Sequence, residues 1–253
     1  MSAFRTAVAV EAQKAVASRV PWTVAILLAV GLAALAGGML AGAASGDPQL
    51  VAKLGPVAAQ GGWAALVGTA TQILAAGGLL CDAILVSWLF GREFADGTVV
   101  GLFATAIPRA TTALAKLAVY LAWAAVTAIL TTGAVLAVGI AAGVAVDDPS
   151  GIGQVLRLPA LVMLTAVLAT PVAVAATAWR GLLPGIAVGI GILVVAQVCA
   201  VVGIGVWVPF VTPALWALDP ATVPPAALAL VATVPLAFGA LTAWMWARLQ
   251  LDR

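Results

Sequence analysis

Six apolar stretches, each long enough to cross a lipid bilayer, constrain this chain more than any other feature of its sequence. A transmembrane helix needs about 20 consecutive, mainly apolar residues. Such stretches lie at 22–42, 63–90, 117–146, 158–178, 182–206 and 226–247. Charged residues make up only 8% of the chain, far below the share in a soluble domain. The sequence therefore predicts an all-α polytopic membrane protein, with six transmembrane helices in one domain covering residues 1–253.

The basic residues indicate how this bundle lies in the membrane, because Lys and Arg are retained in cytoplasmic loops. An even number of spans puts both termini on one side. If that side is cytoplasmic, it holds all 11 basic residues except Lys53 and Arg157. They are Arg5, Lys14, Arg19, Arg92, Arg109, Lys116, Arg180, Arg248 and Arg253. The outer loops carry Asp47, Asp147, Asp148 and Asp219. We therefore expect cytoplasmic termini, and the Ala, Val and Gly richness suggests a bacterial cytoplasmic membrane.

Two segments outside the spans are predicted to form short helices at the membrane surface. Residues 1–20 have a helix-forming composition with Glu11 and Lys14 on one face, so we expect an interfacial helix that ends where Pro21 turns the chain into the membrane. Residues 207–225 are rich in proline yet remain apolar. This pattern favours a re-entrant outer segment with one or two short helices between the last two spans.

The loop at 91–116, between the second and third spans, concentrates charge in an otherwise apolar chain. Its charged residues are Arg92, Glu93, Asp96, Arg109 and Lys116. We expect this loop to meet a soluble partner on the cytoplasmic side. The alternative is an ordinary solvated loop in which Arg92, Glu93 and Asp96 pair with one another.

A short helix is predicted inside this loop. Either Asp96 or Thr98 can cap a helix over residues 99–106, and Pro108 would stop it. Its apolar residues, among them Leu102 and Phe103, suit a groove on a partner protein. A short rigid helix between two long spans would transmit a displacement from that partner into the membrane.

The loop resembles the first cytoplasmic loop of permeases of the type 2 ABC exporter family. In that family a Glu followed four residues later by Gly-Thr, then a Pro-basic pair and a Lys, marks the coupling region. The matching residues here are Glu93, Gly97, Thr98, Pro108, Arg109 and Lys116. With Arg92, Phe94, Asp96, Leu102 and Phe103 they form the predicted site of coupling to an ATPase subunit.

The resemblance implies a type V exporter fold, with a cytoplasmic coupling helix between spans two and three. It also implies a dimer with a second permease copy or a paralogue, in which the first and fifth spans meet at the centre. Separate nucleotide-binding subunits would hold ATP and Mg, and no cofactor is expected in this chain.

Several kinds of chemistry are excluded by the residues that the chain lacks. It has no histidine, so imidazole acid–base catalysis and histidine-containing metal sites are excluded. Cys81 and Cys199 lie in apolar spans and are expected to be packing residues rather than a metal or disulfide pair. No lysine follows a glycine, so the phosphate loop of ATPases is absent. The chain is therefore not expected to be an enzyme.

Polar residues inside the predicted spans are candidates for a translocation path. Asp82 lies deep in the second span, where an ionisable group costs about 2.5–3.5 kcal/mol. It either lines a substrate path or is a hydrogen-bonded packing residue. Gln72 and Gln197 are further candidates, with interhelical hydrogen bonding as the alternative.

Glycines at every fourth position of the fifth span, Gly181, Gly185 and Gly189, would let another helix approach closely. That helix could belong to a second subunit or to the same chain. The spacing leaves both readings open, and the family resemblance favours the subunit interface.

Three function classes fit these observations unequally. The first is the membrane subunit of an ATP-driven exporter of an apolar or amphipathic substrate such as a drug, antibiotic or lipid-like molecule, as in multidrug efflux. The second is a self-sufficient secondary transporter or channel, which should show more intramembrane charge than Asp82. The third, a membrane-embedded enzyme, lacks the residues for a catalytic site.

Overall fold

The computed structural model describes residues 2–144 and 153–250, and this part of the chain consists of helices joined by short turns. Within it, six helical stretches are long and apolar enough to cross a membrane. They are Arg19–Ala44, Gly62–Ala95, Arg109–Ala141, Gly153–Ala178, Leu182–Val202 and Pro225–Ala247. The predicted all-α fold with six spans is confirmed. The charged residues Asp147, Asp148 and Arg253, which entered the prediction of orientation, lie outside the described residues.

The α-helices are labelled in chain order. They are α1 Ala3–Ala17, α2 Arg19–Ile26, α3 Leu32–Ala44, α4 Pro48–Leu54, α5 Gly62–Ala95, α6 Val99–Phe103, α7 Arg109–Ala141, α8 Arg157–Leu168, α9 Thr170–Ala178, α10 Leu182–Val202, α11 Thr212–Leu218 and α12 Pro225–Ala247. A π-helical turn, Leu27–Gly31, joins α2 to α3 within the first span. The fourth span contains α8 and α9, and the remaining spans are single helices.

The chain turns into the first span at Ser18, three residues before the predicted turn at Pro21. Ser18 has an extended backbone, with φ −90° and ψ 147°, and its hydroxyl accepts a hydrogen bond from the Val20 N–H to begin α2. Pro21 lies in the first turn of α2, where a backbone N–H has no partner within the helix, so proline is tolerated there. The position predicted for this turn was therefore wrong, because serine supplied the helix cap.

Helix α5 is the centre of the bundle and packs against the first, third, fourth and fifth spans. It has 34 residues, which makes it about 51 Å long at 1.5 Å per residue. Since the hydrocarbon core of a bilayer is about 30 Å thick, the helix extends beyond it. The end of α5 that carries Arg92 and Glu93 can therefore project from the membrane.

The fourth span is interrupted at Ala169, two residues before Pro171. Because proline has no N–H, the Val167 carbonyl loses its backbone donor. The Thr170 hydroxyl donates to that carbonyl instead, at 2.8 Å, and the Tyr120 hydroxyl donates to the Ala166 carbonyl at 2.9 Å. By contrast, α12 runs continuously through Pro235.

Short helices cover the end of the bundle that lies opposite to α1 and to the last turn of α12. Helix α11 and the 3-10 turns Gly205–Trp207 and Pro220–Thr222 lie in the region where one or two short helices were predicted. Helix α4, capped by Asp47, and the 3-10 turn Gly55–Ala59 connect the first two spans. The sequence analysis did not predict these two elements.

Candidate functional site

Helix α1, the 96–108 loop and residues 248–250 lie at one end of the bundle, called here the charged end. It comprises α1, the last turn of α5, the loop with α6, the first turns of α7, the turn at 179–181 between α9 and α10, and residues 248–250 after α12. Side chains from these elements contact one another.

Two glutamates and two lysines from three helices form a buried ion cluster at this end. Lys116 of α7 places its Nζ 2.7 Å from Glu11 Oε2 and 2.8 Å from Glu93 Oε1. Lys14 Nζ lies 2.8 Å from Glu11 Oε1 and 3.0 Å from Glu93 Oε1. Each carboxylate thus contacts both ammonium groups, and the cluster joins α1 to the end of α5 and the start of α7.

The cluster is buried enough for its pairing to matter energetically. The exposed fraction of the side chain is 0% for Lys116, 1% for Glu93 and 3% for Glu11, against 30% for Lys14. Taking a charge out of water costs several kcal/mol unless partners replace the lost hydration. Here the two charge types balance, and the Thr98 hydroxyl donates a further hydrogen bond to Glu93 Oε2.

Lys14 keeps its charge in this setting. Partial burial lowers the pKa of the ammonium group, but hydrogen bonds and attraction to Glu11 and Glu93 outweigh it, so the pKa is raised above its ordinary value of 10.5. The stability that Lys14 contributes is therefore fully present at neutral pH. It is lost only when the pH rises through the raised pKa of the folded chain.

Trp246 lies beneath the ion cluster and connects α12 to it. The Lys116 Nζ lies 5.8 Å from the centre of the Trp246 ring. The same ring makes edge-to-face contacts with Phe90 and Phe94 at centroid distances of 5.7 and 6.3 Å. Its Nε1–H donates to Thr177 Oγ1 at 3.0 Å. Helices α5, α7, α9 and α12 therefore meet at this tryptophan.

Arg109 ties the loop to the C-terminal end of α12. Its Nη1 donates to the Leu249 carbonyl at 2.6 Å, and its Nη2 donates to the Ala247 carbonyl at 3.1 Å. The guanidinium also lies 4.4 Å from the centre of the Phe103 ring. Arg109 thereby holds the end of α6 against the base of the last span.

The loop contains the predicted helix in a shorter form. Helix α6 ends at Phe103 instead of Ala106. The Thr98 side chain makes no capping bond to α6 because its hydroxyl is bonded to Glu93. Pro108 is the N-cap residue that precedes α7.

The charged residues next to the loop do not pair with one another as the alternative reading proposed. Glu93 is bonded to Lys14 and Lys116, while the Arg92 guanidinium lies 4.5 Å over the Trp88 ring. Asp96 caps the end of α5, and Gly97 follows it with φ +68°, a conformation that favours glycine.

The apolar side chains of α6 point in two directions. Leu102 packs against the core of the bundle, whereas Val100 is 58% exposed and Phe103 is 37% exposed. Leu102 and Phe103 were both predicted to meet a partner protein, but only Phe103 is exposed enough to do so. Val100 is exposed on the same helix and is available as well.

The predicted path residues fall into two places. Gln72 of α5 and Gln197 of α10 line one cavity of about 210 Å³, together with apolar residues of α10 and α11. The buried Thr71 hydroxyl, which lines the same cavity, has no hydrogen-bond partner among the described residues. Asp82 is not among the residues of this cavity. It is buried within α5.

The glycines of the fifth span pack against α5 of the same chain. A β-carbon at Gly185 would collide with Ser87, and one at Gly189 would collide with Ala83. Gly181 touches Gly91, where a β-carbon would lie 2.6 Å from the Gly181 carbonyl carbon. This placement corresponds to the intrachain alternative, and a contact between subunits would have to use other faces of α10.

Three residues of the charged end were not predicted as site residues: Glu11, Lys14 and Trp246. For Glu11 and Lys14 a signal existed, because their spacing places opposite charges on one face of an otherwise apolar helix. Trp246 had no such signal, since it is one of nine tryptophans in the chain and carries no charge or spacing that marks it.

A comparison with protein families identifies a family to which this chain belongs. The family model described as an ABC-2 family transporter protein matches residues 8–197, which is most of the chain and includes the whole ion cluster. A comparison with curated proteins gives no match.

Proposed function

Since the chain belongs to the ABC-2 family of transporter proteins, as a permease subunit, we propose that it forms the membrane pathway of an ATP-driven exporter. Separate nucleotide-binding subunits dock on its charged end and hold the ATP and Mg. The chain itself hydrolyses no ATP. The observation that carries this proposal is the buried ion cluster directly behind the 96–108 loop.

The surface offered to the ATPase subunit is small and apolar, with basic groups behind it. Val100 and Phe103 are exposed on α6, and the Arg109 guanidinium supports the Phe103 ring from behind. Exposed aromatic and aliphatic side chains on a supported element are suited to fill a pocket on a partner. We assign the docking surface to these two residues.

A push on α6 would reach three helices at once. Thr98, which precedes α6, is bonded to Glu93 at the end of α5. Glu93 in turn shares Lys116 of α7 with Glu11 of α1. Because buried ion pairs resist separation, α1, α5 and α7 would move together when the ATPase subunits close.

The exposed apolar faces of the first and fifth spans support a dimer with a second copy or a paralogue. Only 17% of an 18-residue stretch of Leu182–Val202 is buried within the chain, against 61% of such a stretch in Gly62–Ala95. The exposed side chains of α10 include Leu183, Ile190, Val194, Val195, Val198, Val201 and Val202. On the first span they include Ile26, Leu27, Val30 and Leu35. Lipid or a second permease can cover these faces, and the family resemblance favours the permease.

The proposed function also implies which membrane holds the chain and which end of the chain faces the cytoplasm. ATP is held in the cytoplasm, so the charged end with both termini faces the cytoplasm of a bacterial cell, in agreement with the distribution of basic residues. The opposite end, with α4 and α11, faces outward.

The cavity between α5 and α10 is the best candidate for a part of the substrate path. Its walls are mostly apolar, with the amides of Gln72 and Gln197 and the Thr71 hydroxyl, which has no hydrogen-bond partner in the described part of the chain, as polar groups. Such a lining suits an amphipathic molecule, for example a drug, an antibiotic or a lipid-like compound.

The docking surface can be tested with Val100→Asp in the complete transporter. We expect co-purification of the ATPase subunit to fall at least about tenfold, because a charge would be placed in an apolar contact. Transport-linked ATP hydrolysis should fall with it. Val51→Asp is the matched control, since Val51 is also an exposed valine but lies on α4 at the opposite end. Unchanged assembly and hydrolysis with Val100→Asp would contradict the proposed function.

The path can be tested with Gln72→Leu and Gln197→Leu, alone and together. Each change should lower transport of substrates that carry hydrogen-bonding groups by about fivefold, the value of one lost hydrogen bond, while assembly with the ATPase subunit stays normal. Gln60→Leu, an exposed glutamine next to α5, is the control. Asp82→Asn, measured in the same transport assay over a range of pH, tests the other candidate. Equal transport by all glutamine variants would exclude this cavity from the path.

A further inference from the structure

One face of helix α10 carries a stripe of exposed residues with a regular spacing. Its members follow one another in steps of four and three, the spacing at which a helix faces a neighbour in a coiled coil. They are Leu183, Ala187, Ile190, Val194, Gln197 and Val201, called here the heptad stripe. All six are exposed. Gly185 and Gly189, which contact α5, lie on the other side of the helix. Helix α10 thus has one face for its own bundle and another that is left to the membrane.

Gln197 is the polar member of the heptad stripe. No other residue of α10 carries an amide, a hydroxyl or a charge. Gln197 lies five residues before the end of α10, which places it about 8 Å along the helix axis from that end. Since the 21 residues of α10 are about as long as the hydrocarbon core is thick, the amide lies at the depth of the lipid chains. No hydrogen bond of this amide is found among the described residues. An amide at this depth is costly unless a partner bonds it.

This amide determines which kind of molecule fits the heptad stripe. Lipid chains can cover the five apolar members, but they offer neither a donor nor an acceptor to Gln197. A second amide offers both, because each amide group has an NH₂ that donates and an oxygen that accepts. The polar group in the stripe is therefore complementary to a copy of itself.

The symmetry of a dimer in a membrane brings two such amides to the same level. Two copies with the same orientation are related by a two-fold axis along the membrane normal, so their α10 helices run parallel. In such a pair, each residue of the seam faces the same residue of the other helix. Gln197 would face the partner subunit's Gln197. A paralogue would match only if it carried an amide at the same position.

We propose that two copies of this chain pair along the heptad stripe, with a hydrogen-bonded pair of Gln197 amides inside the membrane. The inference rests on the dimer of the proposed function, and it names a second copy instead of a paralogue as the partner. A single polar residue in an apolar seam fixes the register of the helices and the number of chains. Gln197 also lines the cavity between α5 and α10, so the second copy contributes to the wall of that cavity.

Cysteine cross-linking tests the seam in the full chain, expressed in membranes without any other permease. Cys81 and Cys199 are first replaced by alanine, and Val194→Cys or Val201→Cys is then introduced in the heptad stripe. Both variants should form a disulfide-linked dimer on oxidation, because the same residues of the two copies meet. Val195→Cys is the matched control. Val195 is 60% exposed but points about 100° away from its neighbour Val194, so this variant should stay monomeric.

The amide pair is tested by energy transfer between labelled copies of the chain in phosphatidylcholine vesicles. Gln197→Leu should weaken dimerisation about threefold to tenfold, the effect of one or two interhelical hydrogen bonds. Gln197→Asn keeps an amide and should weaken it less. Gln72→Leu is the control, since Gln72 lines the same cavity from α5 and lies outside the heptad stripe. It should dimerise as the unchanged chain does.

Three results would overturn the proposal. They are equal cross-linking at Val195 and Val194, a covalent dimer that forms only when a paralogue is expressed as well, and unchanged dimerisation of Gln197→Leu. No ATPase subunit is present in these experiments, so they are independent of the test of the docking surface on α6. A chain that binds its ATPase subunit but does not pair along α10 would retain the proposed function and exclude only this inference.

Discussion

Replacing Lys116 with methionine should destabilise the folded chain by about 3–5 kcal/mol, the usual cost of removing one partner from a buried ion pair. Methionine is similar in length, so little packing is lost. Glu11 and Glu93 would remain buried, with only the partly exposed Lys14 as counter-charge. The measurement is the free energy of unfolding, or the melting temperature, of the chain purified in detergent. Lys53→Met, at an exposed lysine on α4, should change stability by less than about 0.5 kcal/mol.

A double variant distinguishes unpaired charge from lost packing. When Glu93→Gln is added to Lys116→Met, the remaining Glu11 and Lys14 still pair with each other and the charges balance, so most of the lost stability should return. If the double variant is as unstable as Lys116→Met alone, the cost comes from packing and the argument from buried charge is wrong. If Lys116→Met is as stable as the unchanged chain, the cluster does not hold the three helices together.

Replacing Gly91 with alanine should cost about 1–3 kcal/mol, the range for an added group in a tightly packed site. A β-carbon at this position would lie 2.6 Å from the Gly181 carbonyl oxygen and 2.8 Å from the Leu182 backbone nitrogen. Because these are backbone atoms, no rotation of a side chain can relieve the collision. The end of α5 would have to separate from the turn that begins α10.

Gly77→Ala is the matched control in the same helix. A β-carbon there meets nothing within 4 Å, and alanine favours a helix over glycine by about 1 kcal/mol. The free energy of unfolding should therefore be lower than that of the unchanged chain for Gly91→Ala, and equal or higher for Gly77→Ala. Equal stability of both variants would show that the contact between α5 and the α9–α10 turn can widen without cost.

The spans could be predicted because length and apolarity alone define a membrane helix. Their ends were less accurate, since they depend on local hydrogen bonds. The first span begins at Ser18, whose hydroxyl caps α2, whereas the Thr98 hydroxyl is bonded to Glu93 and leaves the start of α6 without a side-chain cap. The sequence shows which partners a side chain can bond, but only the folded chain determines which of them it does bond.

Only the part of the candidate site that lies within one continuous stretch of sequence could be predicted. Glu93 and Lys116 belong to one recognisable loop, and the structure brings them into contact. Their partners on α1 come from a distant part of the sequence, and no spacing rule connects Glu11 with Lys116. Glycine spacing likewise predicts that a helix approaches Gly185 and Gly189, but it does not say which helix. Here that helix is α5 of the same chain.

The interruption at Ala169 divides the fourth span between two groups of neighbours. The half before it, α8, packs mainly on α7 and α5, while the half after it, α9, packs on α12, α10 and α5. At the interruption, hydroxyl groups of Thr170 and Tyr120 supply bonds to the Val167 and Ala166 carbonyls. Backbone bonds from the Ala169 N–H to the Ala166 carbonyl and from the Val172 N–H to the Ala169 carbonyl also cross the interruption. The fourth span therefore consists of two helices with largely separate packing partners, and a substitution at Thr170 or Tyr120 would act on the junction between them.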